Sequence, residues 1–216
     1  MTLKLYTLSG SPFGWKVQLA LGHKSLAHEL VILSNDKGEL QTEQFKALNP
    51  HTKAPVLVDG GFALYESEPI MEYLEDAFPN SGARLWPADP KRRALARRIA
   101  TEASSYIYPP VRTLVTAWLA RPAKPSGKEA IAAAKTDLAG QLSVLAPQFT
   151  GGFFDGARPG TADFALYPLL ALIARIDLKR PGLDLRSTVP ANLCRLSALI
   201  EALPFFSSTR PPHWKE

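Results

Sequence analysis

One cysteine, Cys194, stands in 216 residues, so no disulfide can form within the chain and a reducing compartment is expected. No apolar run approaches the length that a bilayer requires. Met1-Thr2-Leu3-Lys4-Leu5 enters an alternating segment without the apolar core of a secretory signal, and the reading is a soluble, cytoplasmic chain with no membrane partner. His23, His28, His51 and His213 are scattered without ligand spacing, which implies no metal. Nothing repeats internally. The net charge is +5, and the densest basic run is Lys91-Arg92-Arg93 followed by Arg97-Arg98. No nucleic-acid motif accompanies that charge. Arg93 and Arg97 are one helical turn apart with Glu102 a further turn on, which suits a solvated or inter-subunit helix face. Mild basicity also steers anionic small ligands. What the chain does have is 46% hydrophobic residues, enough for one large core or two small ones.

Composition changes near Pro79. Before it the pattern predicts strands over 3–8 and 29–33, helices over 12–23 and 42–48, then strands over 56–58 and 62–65. Asp59-Gly60-Gly61 between the last two is a hairpin signal, so that pair is expected to be antiparallel. A helix over 67–78 follows, with Ile70, Leu74 and Phe78 as its buried stripe. The order βαβαββα is a small mixed α/β domain over 1–79, and 80–88, with Pro79, Gly82 and Pro87, reads as a linker. From 89 to 216 the strand signals largely stop and an all-α domain is expected. Asp89-Pro90 caps a long helix bent or broken at Pro109-Pro110, and Pro122 and Pro125 end it. Ser126-Gly127-Lys128-Glu129 is a capping box for a helix toward Leu145, and helices over 161–176 and 190–203 follow.

Several polar residues fall where a strand meets a helix or a turn. Ser11 stands at an N-cap with Pro12 at the first helical position, and its hydroxyl either caps the helix or faces a ligand beside the helix N-terminus. Glu66-Ser67 ends a strand and begins a helix. Ser67 and the first N–H groups there suit an anion and Glu66 suits an ammonium group, while an ordinary cap with a first-turn acid reads the same way.

Ser11-Pro12-Phe13-Gly14 with Val17 and Ala20-Leu21, Pro55 before the third strand, Glu66-Ser67, and Ala162-Asp163-Phe164 in the helical half resemble a cytosolic glutathione transferase along nearly the whole chain. Within that superfamily the resemblance is to serine-type members, the plant tau group and related bacterial enzymes. It implies a thioredoxin-like domain followed by a helical domain, a homodimer, glutathione as co-substrate, and a hydrophobic electrophile as the second substrate. A free thiol titrates near 8.5, and lowering that by about two units requires ~2.7 kcal/mol of differential stabilisation. Ser11 and its helix end would act together on the bound sulfur, with Ser9 as the reserve candidate. Phe13 either touches the ligand or packs in the core.

The resemblance further implies a cis Pro55 that presents the Ala54 backbone to an extended peptide ligand as an added strand would. Lys53 is either a partner for a ligand carboxylate or solvated, and Lys37 resembles the tau-group lysine that meets the glycine carboxylate. Where the family has Ser or Thr three residues before its structural aspartate, this chain has Gly160 before Asp163, so the side-chain half of that cap is missing unless Thr161 substitutes. Contributors to the electrophile site are Phe13, Tyr106, Tyr108, Arg112 and the tail with His213 and Trp214, the tyrosines being explained equally by an aromatic core. Three function classes stand: a transferase, a thiol–disulfide or peroxidase-type enzyme, and a non-catalytic glutathione-binding or regulatory protein. Maleylacetoacetate isomerase, of the same superfamily, is set aside because its serine-serine-cysteine segment is absent.

Overall fold

A computed structural model describes residues 3–119 and 127–214. Strand β1 (Leu3–Leu8) alternates buried Leu3, Leu5 and Thr7 with half-buried neighbours, the period-two pattern of a strand with one face in a core. Helix α1 (Pro12–His23) and strand β2 (His28–Leu33) follow, and β2 runs parallel to β1 with Leu3 beside His28 and Leu8 beside Leu33. After a single helical turn at Glu39–Gln41 comes α2 (Glu43–Leu48), capped by the Thr42 hydroxyl accepting the Phe45 N–H. Strands β3 (Val56–Asp59) and β4 (Phe62–Tyr65) form the expected antiparallel hairpin around Gly60-Gly61, and α3 (Ser67–Ala77) closes the unit. The sheet order is β2-β1-β3-β4, with β3 antiparallel to β1. This is the small mixed sheet that the residue pattern predicted, in the thioredoxin-like arrangement that the resemblance implies.

One face of the sheet packs Tyr6, Leu8 and Val56 with Leu40 and Phe45 from the α2 region. On helix α1, Gly14 faces Thr7, and a Cβ there would stand 1.7 Å from Thr7 Oγ1. Only a bare backbone lets α1 lie that close to β1. On α3 the buried residues include Ile70, Met71 and Leu74, while Phe78 is half-buried against Tyr73 just past the helix end.

The chain divides into two units, 1–87 with 203–216 and 88–202. The stretch 80–87, read from its prolines as linker, is held within the first unit. Glu75 on α3 accepts the Leu85 N–H at 2.9 Å, the fully buried Lys24 Nζ at 3.1 Å and Arg84 Nε at 3.3 Å. Burial pushes the Glu75 carboxyl up, but those donors outweigh it and hold the group below its ordinary range. The tail, which composition placed with the helices, also groups with the first unit. There Trp15 Nε1 donates to Thr209 Oγ1 at 3.1 Å, and the Trp15 ring meets Trp214 edge-on at 5.1 Å. A short helix, α9 (Phe206–Thr209), lies in this tail.

In the second unit α4 (Pro90–Glu102) is capped by Asp89, which accepts the Arg92 N–H at 2.8 Å. The break falls slightly ahead of the prolines expected to cause it. A widened turn spans Ala103–Ile107, and Pro109-Pro110 sit in the first turn of α5 (Tyr108–Leu119). Prolines at those positions offer no N–H to the carbonyls four residues back, and their rings displace those carbonyls, so the helix widens just before them. Then come α6 (Gly127–Leu145), α7 (Thr161–Lys179) and α8 (Ala191–Glu201). The capping box at Ser126 and the stops at Pro122 and Pro125 lie outside the described residues.

Asp163 at the start of α7 does the capping that Gly160 cannot. Its Oδ2 accepts the Gly160 N–H and its Oδ1 accepts the Phe154 N–H, both at 2.9 Å. Burial drives its carboxyl up to about 7 against the opposing effect of those donors. Among the described residues no helix is long and apolar enough to cross a membrane.

Candidate functional site

Register alone gathers most of the residues singled out above. Tyr6 pairs with Val56 and Val56 with Tyr65, so the turn after β1, the residues before β3 and the residues after β4 emerge side by side at one end of the sheet. Ser9 to Ser11, Ala54-Pro55 and Glu66-Ser67 therefore line a single edge. Lys37 follows β2 at the same end, on the far side of β1.

Ser11 is the N-cap of α1 in extended conformation, at φ −65° and ψ 124°, and its side chain makes no capping bond. Its carbonyl accepts the Trp15 N–H at 2.9 Å, and its own N–H donates to the Leu8 carbonyl at 3.1 Å. Residues Leu8 to Ser11 thus form a turn whose third residue, Gly10, has φ +78°, as a type II turn demands. The Ala54–Pro55 peptide is cis. Ala54 lies just beyond the β1–β3 ladder, whose last pair is Tyr6 and Val56.

Glu66, and not Ser67, is the N-cap of α3, and it caps through its backbone carbonyl, which accepts the Ile70 N–H at 3.0 Å. Glu66 is exposed and holds φ +70° with ψ 121°, a region costly for any residue with a Cβ and one that recurs at ligand sites. Ser67, expected to offer its hydroxyl to an anion, is 2% exposed, and its Oγ donates instead to Glu68 Oε2 at 3.0 Å. The helix begins at Ser67 as expected, but with Glu66 in the N-cap position Ser67 is its first helical residue and is carried inward.

A residue that the sequence reading missed stands behind this edge. Lys16, on the buried face of α1, has its Nζ 2.6 Å from Glu68 Oε1 and 5.2 Å from the centre of the Phe13 ring. Burial pushes the Lys16 ammonium below its ordinary range, and Glu68 works against that shift. The half-buried Phe13 therefore roofs a cation. The signal was present as one lysine between Trp15 and Val17 in an otherwise apolar helix face.

Lys37 is exposed, with its N–H donated to Ser34 Oγ at 3.3 Å, and Lys53 is exposed, with its carbonyl accepting Asn49 Nδ2 at 2.7 Å. Neither ammonium group is drawn into the edge by a described side-chain contact. Tyr106, Tyr108 and Arg112 belong to the second unit. Tyr106 lies 57% exposed in the widened turn, Tyr108 is half-buried, and Arg112 is exposed on α5. Among the described residues no cluster of His, Cys, Asp or Glu is arranged to hold a metal ion.

Residues 5–82 match the family model described as glutathione S-transferase, N-terminal domain. A maleylacetoacetate isomerase from Pseudomonas aeruginosa is 32% identical over 218 aligned positions, covering 97% of this chain and 96% of that protein. A maleylacetoacetate isomerase from Mus musculus is 38% identical over 107 residues, 49% of each chain. That match spans about half the length of the mouse relative. Among solved structures, a glutathione S-transferase from the Antarctic clam Laternula elliptica superposes with a TM-score of 0.82 at 29% identity, covering 100% of this chain and 95% of that one.

Proposed function

This chain belongs to the glutathione S-transferase family, and we propose that it binds glutathione along the edge shared by Ser11, Ala54-Pro55 and Glu66-Ser67 and activates the thiol at Ser11. The observation that carries this reading is a serine at a helix N-cap whose hydroxyl does not cap, set by register beside the other two pairs. A thiolate there would accept the Ser11 O–H and meet the positive end of α1. Buried Lys16 supplies further positive potential from behind, reduced by its pairing with Glu68. The extended Ala54 backbone would pair with the peptide, and the exposed Glu66 carboxylate with its α-ammonium group. The Ser67 hydroxyl is engaged by Glu68, so the α-carboxylate falls to the first N–H groups of α3. Lys37 and Lys53 are solvent-side partners for the glycine carboxylate.

In the reaction the sulfur gives its proton to solvent and its lone pair forms the bond to an electrophilic carbon of an apolar co-substrate. The displaced electron pair departs with the leaving group or moves onto the co-substrate's own activating group, which then takes a proton from solvent. Ser11 donates throughout and forms no covalent bond. We assign a two-fold homodimer to the protein, with the helix face of Arg93 and Arg97 toward a second copy. Sedimentation at micromolar concentration giving monomer alone would remove that assignment.

A second reading follows from the isomerase names of the relatives. A glutathione-dependent isomerase would return the thiol unchanged where a transferase consumes it. This chain has Ser9-Gly10-Ser11 at the turn, with no cysteine among them, and its one cysteine is Cys194 on α8 of the second unit. Retention on immobilised glutathione tests the binding. A panel of electrophiles and cis-enoic acids, with free thiol followed over time, separates consumption of glutathione from its recycling.

A further inference from the structure

The C-terminal tail reaches the turn that carries Ser11. Gly10 seats it: a Cβ there would stand 3.1 Å from His213 Cε1 and 3.2 Å from Trp214 Nε1. Ser9 Oγ lies 2.7 Å from His213 Nδ1, and Trp214 Nε1 donates to His213 Nε2 at 2.9 Å. The indole nitrogen is a donor only. With Trp214 Nε1–H aimed at it, His213 Nε2 must be the bare acceptor nitrogen, so the neutral ring carries its proton on Nδ1. That proton faces Ser9 Oγ, which accepts it. The Ser9 hydroxyl proton is thereby turned away from the histidine, and Ser9 is on the exposed side of the turn. An isolated serine beside a histidine of free tautomer would have no such direction.

We propose that His213, fixed in its Nδ1–H form by Trp214, is a positioning residue that presents the Ser9 O–H as a second donor to the sulfur of a thiol bound at Ser11. The inference rests on the reading of Ser11 given above, while the tautomer itself does not. The arrangement makes the tail part of the site. Trp214 is held by its ring contact with Trp15 on α1, so the same helix that begins at Ser11 anchors the residue that orders Ser9.

Long-range proton–nitrogen spectra of the full-length protein, with His213 identified by the His213→Asn variant, read the tautomer directly. The expected result is a protonated Nδ1 and a bare Nε2, and Trp214→Phe, which keeps a ring on Trp15, releases that preference. A protonated Nε2 in wild type overturns the proposal. Turnover is then measured for Ser9→Ala, His213→Leu and the double variant. Each single change is expected to lower turnover about tenfold, with the double variant no worse than either and the Michaelis constant for glutathione little changed. His213→Asn, whose amide can donate to Ser9 from the Nδ1 position, is expected to retain most activity. Unchanged turnover in Ser9→Ala, additive losses, or a His213→Asn variant as poor as His213→Leu overturns the proposal. Ser11→Ala is the control. If it loses turnover while Ser9→Ala does not, this inference fails and the Ser11 reading stands; if Ser11→Ala is unchanged, the Ser11 reading fails.

Discussion

Lys16 Nζ on α1 lies 2.6 Å from Glu68 Oε1 on α3, with the lysine side chain 2% exposed and the glutamate 32% exposed. The pair ties together the two helix N-termini that carry Ser11 and Ser67. Its two ends are not equivalent. Removing Lys16 leaves a carboxylate that water can reach, whereas removing Glu68 takes the ion pair away from a buried cation. Glu68→Ala is therefore expected to cost about 3 kcal/mol of stability, Lys16→Met less, and the double replacement less than Glu68→Ala alone. Urea denaturation gives all three, and a Glu68→Ala cost no larger than that of Lys16→Met would count against the asymmetry.

Glu66 offers a way to separate binding from folding. At φ +70° its backbone suits glycine better than any residue with a Cβ. Glu66→Gly is expected to stabilise the fold by about 1 kcal/mol while weakening glutathione at least tenfold, and Glu66→Ala to weaken it as much with no gain in stability. Calorimetry showing unaltered affinity in both variants would take the Glu66 carboxylate out of the site.

The carboxyl of Asp163 sets a pH dependence of stability. Its folded value near 7 stands above the unfolded value of 3.8. Between those values the folded protein keeps a proton that the unfolded chain has released, so stability falls as pH rises from about 4 to 7. Asp163→Asn should abolish that slope. It should also cost about 1 to 3 kcal/mol above pH 7, where the ionised carboxylate accepts both the Gly160 and the Phe154 N–H groups and an amide has only one acceptor for the two. Denaturation midpoints that rise across this window would contradict the assignment.

The first unit was largely legible in the sequence because its signals are local. Alternation marked β1, Gly60-Gly61 marked the hairpin, and Ile70 and Leu74 marked the buried face of α3. The site edge was legible for the same reason, since Ser11, Pro55 and Glu66 all fall at element boundaries. What escaped depends on distant partners. Lys16 reads as a surface lysine until Glu68 is brought to it, and Ser67 reads as a cap until Glu66, at φ +70°, is seen to take the N-cap position. The tail has no periodicity of its own, and its place with the first unit is decided by Trp15 and Gly10, about two hundred positions away in the chain. Likewise the segment 80–87 has linker composition, yet Glu75 pins it.

The central claim is that the Ser11 hydroxyl stabilises a bound thiolate, and the most direct measurement is the ultraviolet thiolate absorbance of the glutathione complex as pH is raised, in wild type and in Ser11→Ala. Removing the hydroxyl leaves the N-terminus of α1 in place, so affinity should change little while turnover falls about ten- to a thousandfold. The account predicts that the thiolate of the wild-type complex appears at a lower pH than that of the variant. Coincident titrations in the two proteins would contradict it and leave Ser11 as a structural residue of the turn.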